Sequence, residues 1–163
     1  LEMKKSEENA YSTKLKMLIE LKNFVGKELG LTEWMKMSQK KINEFAKITH
    51  DEQWIHIDPE KSALFSPYKK TIAHGFLILS MVSKISFDAF SIGNVVAGIN
   101  YGLDRVRFPN ATKSDSAYRG RVSLMEFTEI PSGAKYKLKI EIEIQGEEKP
   151  ACIAEFLALA YTK

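Results

Sequence analysis

The stretch from Thr71 to Phe90, TIAHGFLILSMVSKISFDAF, restricts the possible folds more than any other part of the chain. Its first sixteen residues hold one formal charge, Lys84. A helix that is apolar on nearly every face is a buried helix, and a buried helix must be enclosed by other elements. Lys84 and Asp88 bracket an apolar run too short to span a membrane. The C-terminal half offers the enclosure. In YKLKIEIEI (136–144), Tyr136, Leu138, Ile140, Ile142 and Ile144 alternate with Lys137, Lys139, Glu141 and Glu143. Period two with one apolar face is a half-exposed antiparallel strand.

Three further segments read as strands. GEEK turns the chain into ACIAEFLALAY, which is apolar on both faces, and GRVSLMEFTEI and GINYGLDRVRFP are also strand-like. In the last of these the apolar parity slips, from Ile99, Tyr101 and Leu103 to Val106 and Phe108, which predicts a β-bulge near Asp104. LTEWMKMS (31–38) offers an edge strand. In SQKKINEFAKIT, Ser38 is the N-cap of a short helix ending near Thr49, with Ile42, Phe45 and Ala46 on one face. Asp58 and Pro59 start another helix in DPEKSALF. Residues 4–28 carry Leu15, Leu18, Ile19 and Phe24 at helical spacing and predict an N-terminal helix. The order is small helices, one long apolar helix, then about four antiparallel strands: an α+β roll with a sheet around a central helix.

The 163 residues suit one domain. A net charge of +3, with lysines dispersed rather than striped, gives no case for nucleic acid. The single cysteine, Cys152, permits no intramolecular disulfide and reads as a buried, inert thiol. No signal peptide or membrane span is evident, so a cytoplasmic, reducing compartment is expected. Leu1-Glu2 before Met3 reads as a cloning remnant.

Two stretches carry chemistry. In THDEQWIHIDP (49–59), Asp51 and His56 flank Trp54 and Ile55, which favour burial. A carboxylate and an imidazole in one partly apolar pocket can share a water, one accepting its proton while the other returns one. Partial burial is expected to raise the carboxylate's pKa and lower the imidazole's. The plainer alternative has Asp51 capping backbone amides and His56 as a satisfied half-buried histidine. Asp58 is assigned to the helix cap, Glu52 and Gln53 to a solvent-facing turn, and His50 to a peripheral role. In TIAHGFLILSMVS (71–83), His74-Gly75 opens the buried helix. Glycine there admits close approach to the backbone, and free N–H groups at a helix start suit a developing oxyanion. Ser80 and Ser83, on the following turns, can bond a polar partner or their own backbone. The histidines show no metal-ligand spacing.

Taken together, D-x-x-x-x-H-x-D-P followed by I-A-H-G-F-L-x-L-S resembles the MaoC-type (R)-specific enoyl-CoA hydratases, in the branch similar to nodulation protein N. The likeness runs from about Trp34 to the C-terminal strands, NYGLDRVRFP included. It implies a hotdog fold over 31–163, preceded by an N-terminal helical extension (1–30) that the family core does not explain. It implies a catalytic pair, Asp51 and His56, a backbone donor to the thioester carbonyl at Gly75, and Ser83 as a polar residue beside the pair. The implied reaction is reversible hydration of a 2-enoyl thioester, carried by coenzyme A or acyl carrier protein, without metal or cofactor, by a homodimer. A hotdog thioesterase is the enzymatic alternative, against which stands the lack of any acidic residue between Thr71 and Phe87. A non-catalytic acyl-CoA-binding module is the other. Two departures are visible: His50 stands where the family often has glycine, and Lys69-Lys70 stand where glycines often precede the T-I-A-H-G.

Overall fold

A computed structural model describes residues 4–163; Leu1-Glu2, read from the sequence as a cloning remnant, lie outside them. The expected order of small helices, apolar helix and strands holds from Gln39 onward, after three short strands. The small helices are α1 (Gln39–Thr49), α2 (Trp54–Ile57) and α3 (Pro59–Phe65). The apolar segment forms α4 (Gly75–Ser80) and α5 (Val82–Ala89), joined at Met81, whose φ and ψ stay helical. Strands β1 (Thr13–Leu15), β2 (Glu28–Leu31) and β3 (Met35–Lys36) precede the helices. β4 (Phe90–Ile92), β5 (Val95–Arg107), β6 (Ala117–Ile130), β7 (Gly133–Ile144) and β8 (Cys152–Thr162) follow them. The main sheet is antiparallel in the order β2-β6-β7-β8-β5, and β3 also pairs with β6.

The central helix packs on the sheet because the sequence leaves room for it. A Cβ at Gly30 would stand 2.2 Å from the carbonyl oxygen of Ala89, and one at Gly120 would stand 2.2 Å from Ile85 Cγ2. Glycine at these two places lets α5 settle against β2 and β6. Ile85 is fully buried there, with Leu138, Ile140 and Ile142 of β7 beneath it in the same core. Truncating one such side chain to alanine costs about 2–5 kcal/mol. The parity slip in β5 is a real register shift, between Leu103 and Arg105. Lys137 of β7 reaches the carboxylate of Asp104 there, at 2.9 Å. Cys152 is buried, and burial pushes its thiol up to about 11, so little thiolate forms at neutral pH.

Two expectations need correction. Residues 4–28 do not form a helix. They run through a 3-10 turn (Lys5–Glu7), β1, a 3-10 helix (Leu18–Phe24) and the start of β2, which ends at Leu31. Isolated helices of this length are marginal, and tertiary pairing is stronger here. β1 lies parallel to β4, Tyr11 exchanges two 3.0 Å backbone bonds with Leu31, and Leu18 and Leu21 enter the core. The central helix, for its part, is not buried all round. Phe76 and Phe87, three turns apart, are 73% and 79% exposed. They share a stripe with Ser80 and Ser83 at helical spacing, beside β5.

Candidate active site

The site begins where α1 ends. Ser38 Oγ accepts the Lys41 N–H at 3.3 Å to start that helix, and His50 closes it with φ at 59°. Histidine is one of the few non-glycine types enriched in this left-handed region. The reversal turns Asp51 inward, half-buried, ahead of the single turn of α2 that carries His56. Asp58 then caps α3 through a 2.9 Å bond from Lys61 N–H, as expected.

His56 is buried and held on three sides. Its backbone N–H donates to Gln53 at 3.0 Å, its carbonyl accepts the Gln39 side-chain amide at 2.7 Å, and Nδ1 lies 2.7 Å from the Ile72 carbonyl. A carbonyl only accepts, so Nδ1 carries the hydrogen and the neutral ring presents a lone pair on Nε2. Gln39 Oε1 in turn accepts from the Thr71 hydroxyl, which also bonds Ser114 Oγ at 3.0 Å. This chain of bonds ties α1 to the loop that leads into α4.

His74 was not singled out as a site residue in the sequence, and it completes the cluster. Its ring stacks on His56 with centroids 3.8 Å apart and planes 23° apart, and its Nε2 lies 2.9 Å from the Asp51 carbonyl. Its only sequence signal was its place immediately before Gly75. One ligand-type atom each from Asp51, His56 and His74 lies within 4.8 Å of the others. Two hydrogen bonds of about 2.8 Å meeting at a tetrahedral angle span nearly that distance, so one water can bridge carboxylate and imidazole. A metal ion fits less well. Lone pairs lie in the ring planes, and an ion between two near-parallel rings would sit out of both planes.

The electrostatics differ from expectation at one group. The Asp51 carboxyl is held below its ordinary value, not raised. The Gln53 amide donates to Oδ1 at 3.1 Å, and the neighbouring imidazoles of His56 and His74 act the same way against the smaller effect of burial. Gln53, assigned to a solvent-facing turn, is exposed but takes part. His56 is lowered as expected, chiefly by burial, with the Ile72 carbonyl opposing. At neutral pH the pair is therefore carboxylate and neutral imidazole.

Gly75 is the first residue of α4, and its N–H has no helical carbonyl four residues back. A Cβ there would come within 3.2 Å of the Phe108 ring at the end of β5. Ser83 is not brought into the hydrogen bonding of the cluster. It is exposed on α5, eight residues or roughly 12 Å along the helix from Gly75. There it lines a cavity of about 440 Å³ with Phe87, Ile99, Tyr136 and Phe156. Ser80 bonds back to the Leu77 carbonyl at 2.6 Å.

Comparison with known proteins follows the same residues. The MaoC like domain matches residues 20–143. Nodulation protein N of Rhizobium leguminosarum bv. viciae is 40% identical over 144 residues, covering 87% of this chain and 89% of that protein. The 3-hydroxyacyl-thioester dehydratase Z of Mycobacterium tuberculosis is 37% identical over 131 residues, covering 80% and 86%. The solved R-hydratase PhaJ1 from Pseudomonas aeruginosa shares the fold, with a TM-score of 0.67 at 18% identity over 82% of this chain and 81% of that one. Two polar stretches that meet at the start of one central helix, and a match spanning most of the chain, place this protein in the MaoC-like dehydratase family.

Proposed function

We propose that the chain is a hydro-lyase that reversibly adds water across the 2,3 double bond of a 2-enoyl thioester, giving a 3-hydroxyacyl thioester. The observation that carries this reading is the Asp51 carboxylate and the His56 imidazole one water apart, beside the free N–H of Gly75. In the hydration direction the pair takes a proton from the water as its oxygen bonds to C3. Electrons of the double bond move onto the thioester carbonyl, whose developing oxyanion is met by the Gly75 N–H. The same proton then passes from the pair to C2, the carbonyl re-forms, and Asp51 and His56 return to their starting states. One water is consumed as hydroxyl and hydrogen on the same face, and no metal or cofactor is needed. The names of the relatives, a 3-hydroxyacyl-thioester dehydratase and an R-hydratase, support this reaction class and its (R) sense.

The working unit in this reading is a homodimer. Phe76 and Phe87 leave a bare apolar face on the central helix, and the adjoining edge strand exposes Val96, Ile99 and Tyr101; pairing with a second copy would cover such an edge. Ser83 lies on that face, so its contribution to substrate binding belongs to the assembled dimer. No helix is long and apolar enough to cross a membrane, and the buried free thiol of Cys152 suits the cytoplasm. A thioesterase has less support: the one acidic residue of α5, Asp88, is exposed and bound to Lys84 at 2.7 Å.

The test is crotonyl-CoA with purified protein. Loss of the conjugated enoyl absorbance without free thiol is the expected result. Release of thiol means hydrolysis, and no change in either leaves only binding; each overturns the reading.

A further inference from the structure

We propose that His74 is a positioning residue for this reaction, one that fixes the distance between the base and the oxyanion donor; the proposal rests on the dehydratase reading above. The ring is 3% exposed, clamped between Phe45, at 5.0 Å between centroids, and His56, at 3.8 Å. Its Nε2–H donates to the carbonyl of Asp51, the residue that supplies the carboxylate. Its own carbonyl accepts the N–H groups of Leu77 and Ile78 and so anchors the first turn of α4. The next residue is Gly75. One rigid side chain therefore ties the main chain of the base to the backbone that presents the oxyanion donor.

The chemistry of the ring leaves it little else to do. Donation to a carbonyl commits Nε2 to carrying the hydrogen. Nδ1 is buried and meets no hydrogen-bond partner among the described residues. With one ring nitrogen given to the Asp51 carbonyl and the other enclosed, the ring offers the reaction no free nitrogen. What it supplies is geometry, and geometry matters where reacting atoms must lie within a few tenths of an ångström of their productive places. A displacement of about 1 Å can cost 100-fold in rate.

The side-chain amides discriminate between positions on the ring. The amide nitrogen of glutamine reaches the place of Nε2, whereas that of asparagine stands at Nδ1. His74→Gln is expected to keep kcat on crotonyl-CoA within about 3-fold, while His74→Asn lowers it roughly 10- to 100-fold with KM little changed. In an Asp51→Asn background, His74→Asn should add almost nothing, because it acts through the residue already removed. Nitrogen-15 spectra of the unsubstituted protein should show a hydrogen on Nε2 of His74. The proposal is overturned if the two variants behave alike, if the His74→Asn loss persists undiminished on Asp51→Asn, or if Nε2 is found to carry no hydrogen. Should the unsubstituted chain leave crotonyl-CoA untouched, the dehydratase reading falls and takes this proposal with it. An active chain with indistinguishable variants overturns the positioning role alone.

Discussion

The two edges of the main sheet are finished in opposite ways. At one edge, β2 is four residues long and the N-terminal segment closes over it. Tyr11 pairs with Leu31, the Thr13 hydroxyl donates to the Leu29 carbonyl at 2.6 Å, and Arg121 draws in Glu8, Glu28 and Glu143 at 2.9 to 3.0 Å. Arg119 beside it bonds the carbonyls of Lys5 and Glu8 and stacks on Trp34. At the other edge, β5 is thirteen residues long and exposes Val96, Ile99 and Tyr101, with only the Lys135 ammonium, among the described residues, over the Tyr101 ring, at 5.1 Å. The chain seals the first edge with its own polar groups and leaves the second apolar. The candidate site borders the second: Phe108 at the end of β5 packs on Gly75, and Ile99 shares a cavity with Ser83. The candidate site thus neighbours the bare edge, where the proposed dimer would form, and not the sealed one.

Substitutions at the pair should affect chemistry and neither edge. Asp51→Asn and His56→Ala are each expected to lower hydration roughly 100- to 10,000-fold, the usual share of a general acid–base group, with mass unchanged; His56→Ala should also lose about 1–3 kcal/mol of stability, because it leaves the Ile72 carbonyl without its donor. Near-full turnover by Asp51→Asn would return that residue to a structural role. On the bare edge, Ile99→Lys with Tyr101→Lys should halve the mass seen by light scattering at micromolar concentration, since charge on an exposed edge strand opposes pairing. A native protein already of monomer mass would break the comparison outright.

The sealed edge should answer in stability alone. Removing Arg121, whose side chain is 12% exposed, leaves three carboxylates facing one another. Loss of one partner from such a buried group costs about 3 kcal/mol. For a domain of this size that is a fall of about 6–12 °C in Tm. Arg121→Ala should therefore melt early while keeping its mass and its kcat near 25 °C. A melting temperature unchanged by this substitution would show the polar seal to be ornamental.

Acid reaches the site before it reaches either edge. His56 and Asp51 are both held below their ordinary values, so each favours the folded state at high pH and loses that contribution as pH falls through its folded value. Histidine ordinarily titrates near 6.5 and an aspartate near 3.9, so the acid limb of kcat/KM belongs to His56 and lies below about 6.5. Activity should be level from pH 8 to about 6.5 and decline only beneath that. A decline beginning above pH 7 would mean that the imidazole is not the buried, neutral group described.

The same contrast explains what the sequence disclosed. Periodicity read the strands, the bulge at Asp104 and the caps at Ser38 and Asp58, because each is set within a few residues. It misread residues 4–28, where helical spacing of leucines lost to pairing with β4 and β2, partners more than sixty residues away in one case. It overstated the burial of the central helix because Phe76 and Phe87, exposed in the structure, are as apolar as the residues of the core face. Asp51 and His56 were paired only through the resemblance that their motif and the later I-A-H-G carry together, and the structure brings the two side chains into one cluster. His74 was not legible, because its bond to the Asp51 carbonyl joins loops twenty-three residues apart. The two departures from the family pattern, His50 and Lys69, both adopt left-handed φ, 59° and 57°. Glycine would hold these conformations without strain, so the glycines common in the family answer to backbone geometry there.

The smallest effect is expected at Asp58, two residues after His56 and close enough to the pair to be mistaken for part of it. Its Oδ1 accepts the Lys61 N–H at 2.9 Å, and Pro59 follows as the first residue of α3. That is a cap, and asparagine caps about as well as aspartate. Asp58→Asn keeps the acceptor and removes only the charge, so stability should move by less than about 0.5 kcal/mol. Hydration should stay within twofold, since no proton passes through this carboxylate. Alanine, which cannot accept, should instead cost about 1 kcal/mol with turnover per folded molecule intact. A marked loss of turnover in Asp58→Asn, at unchanged stability, would put a third carboxyl group into the chemistry and undo the division of THDEQWIHIDP into a proton-handling half and a helix-capping half.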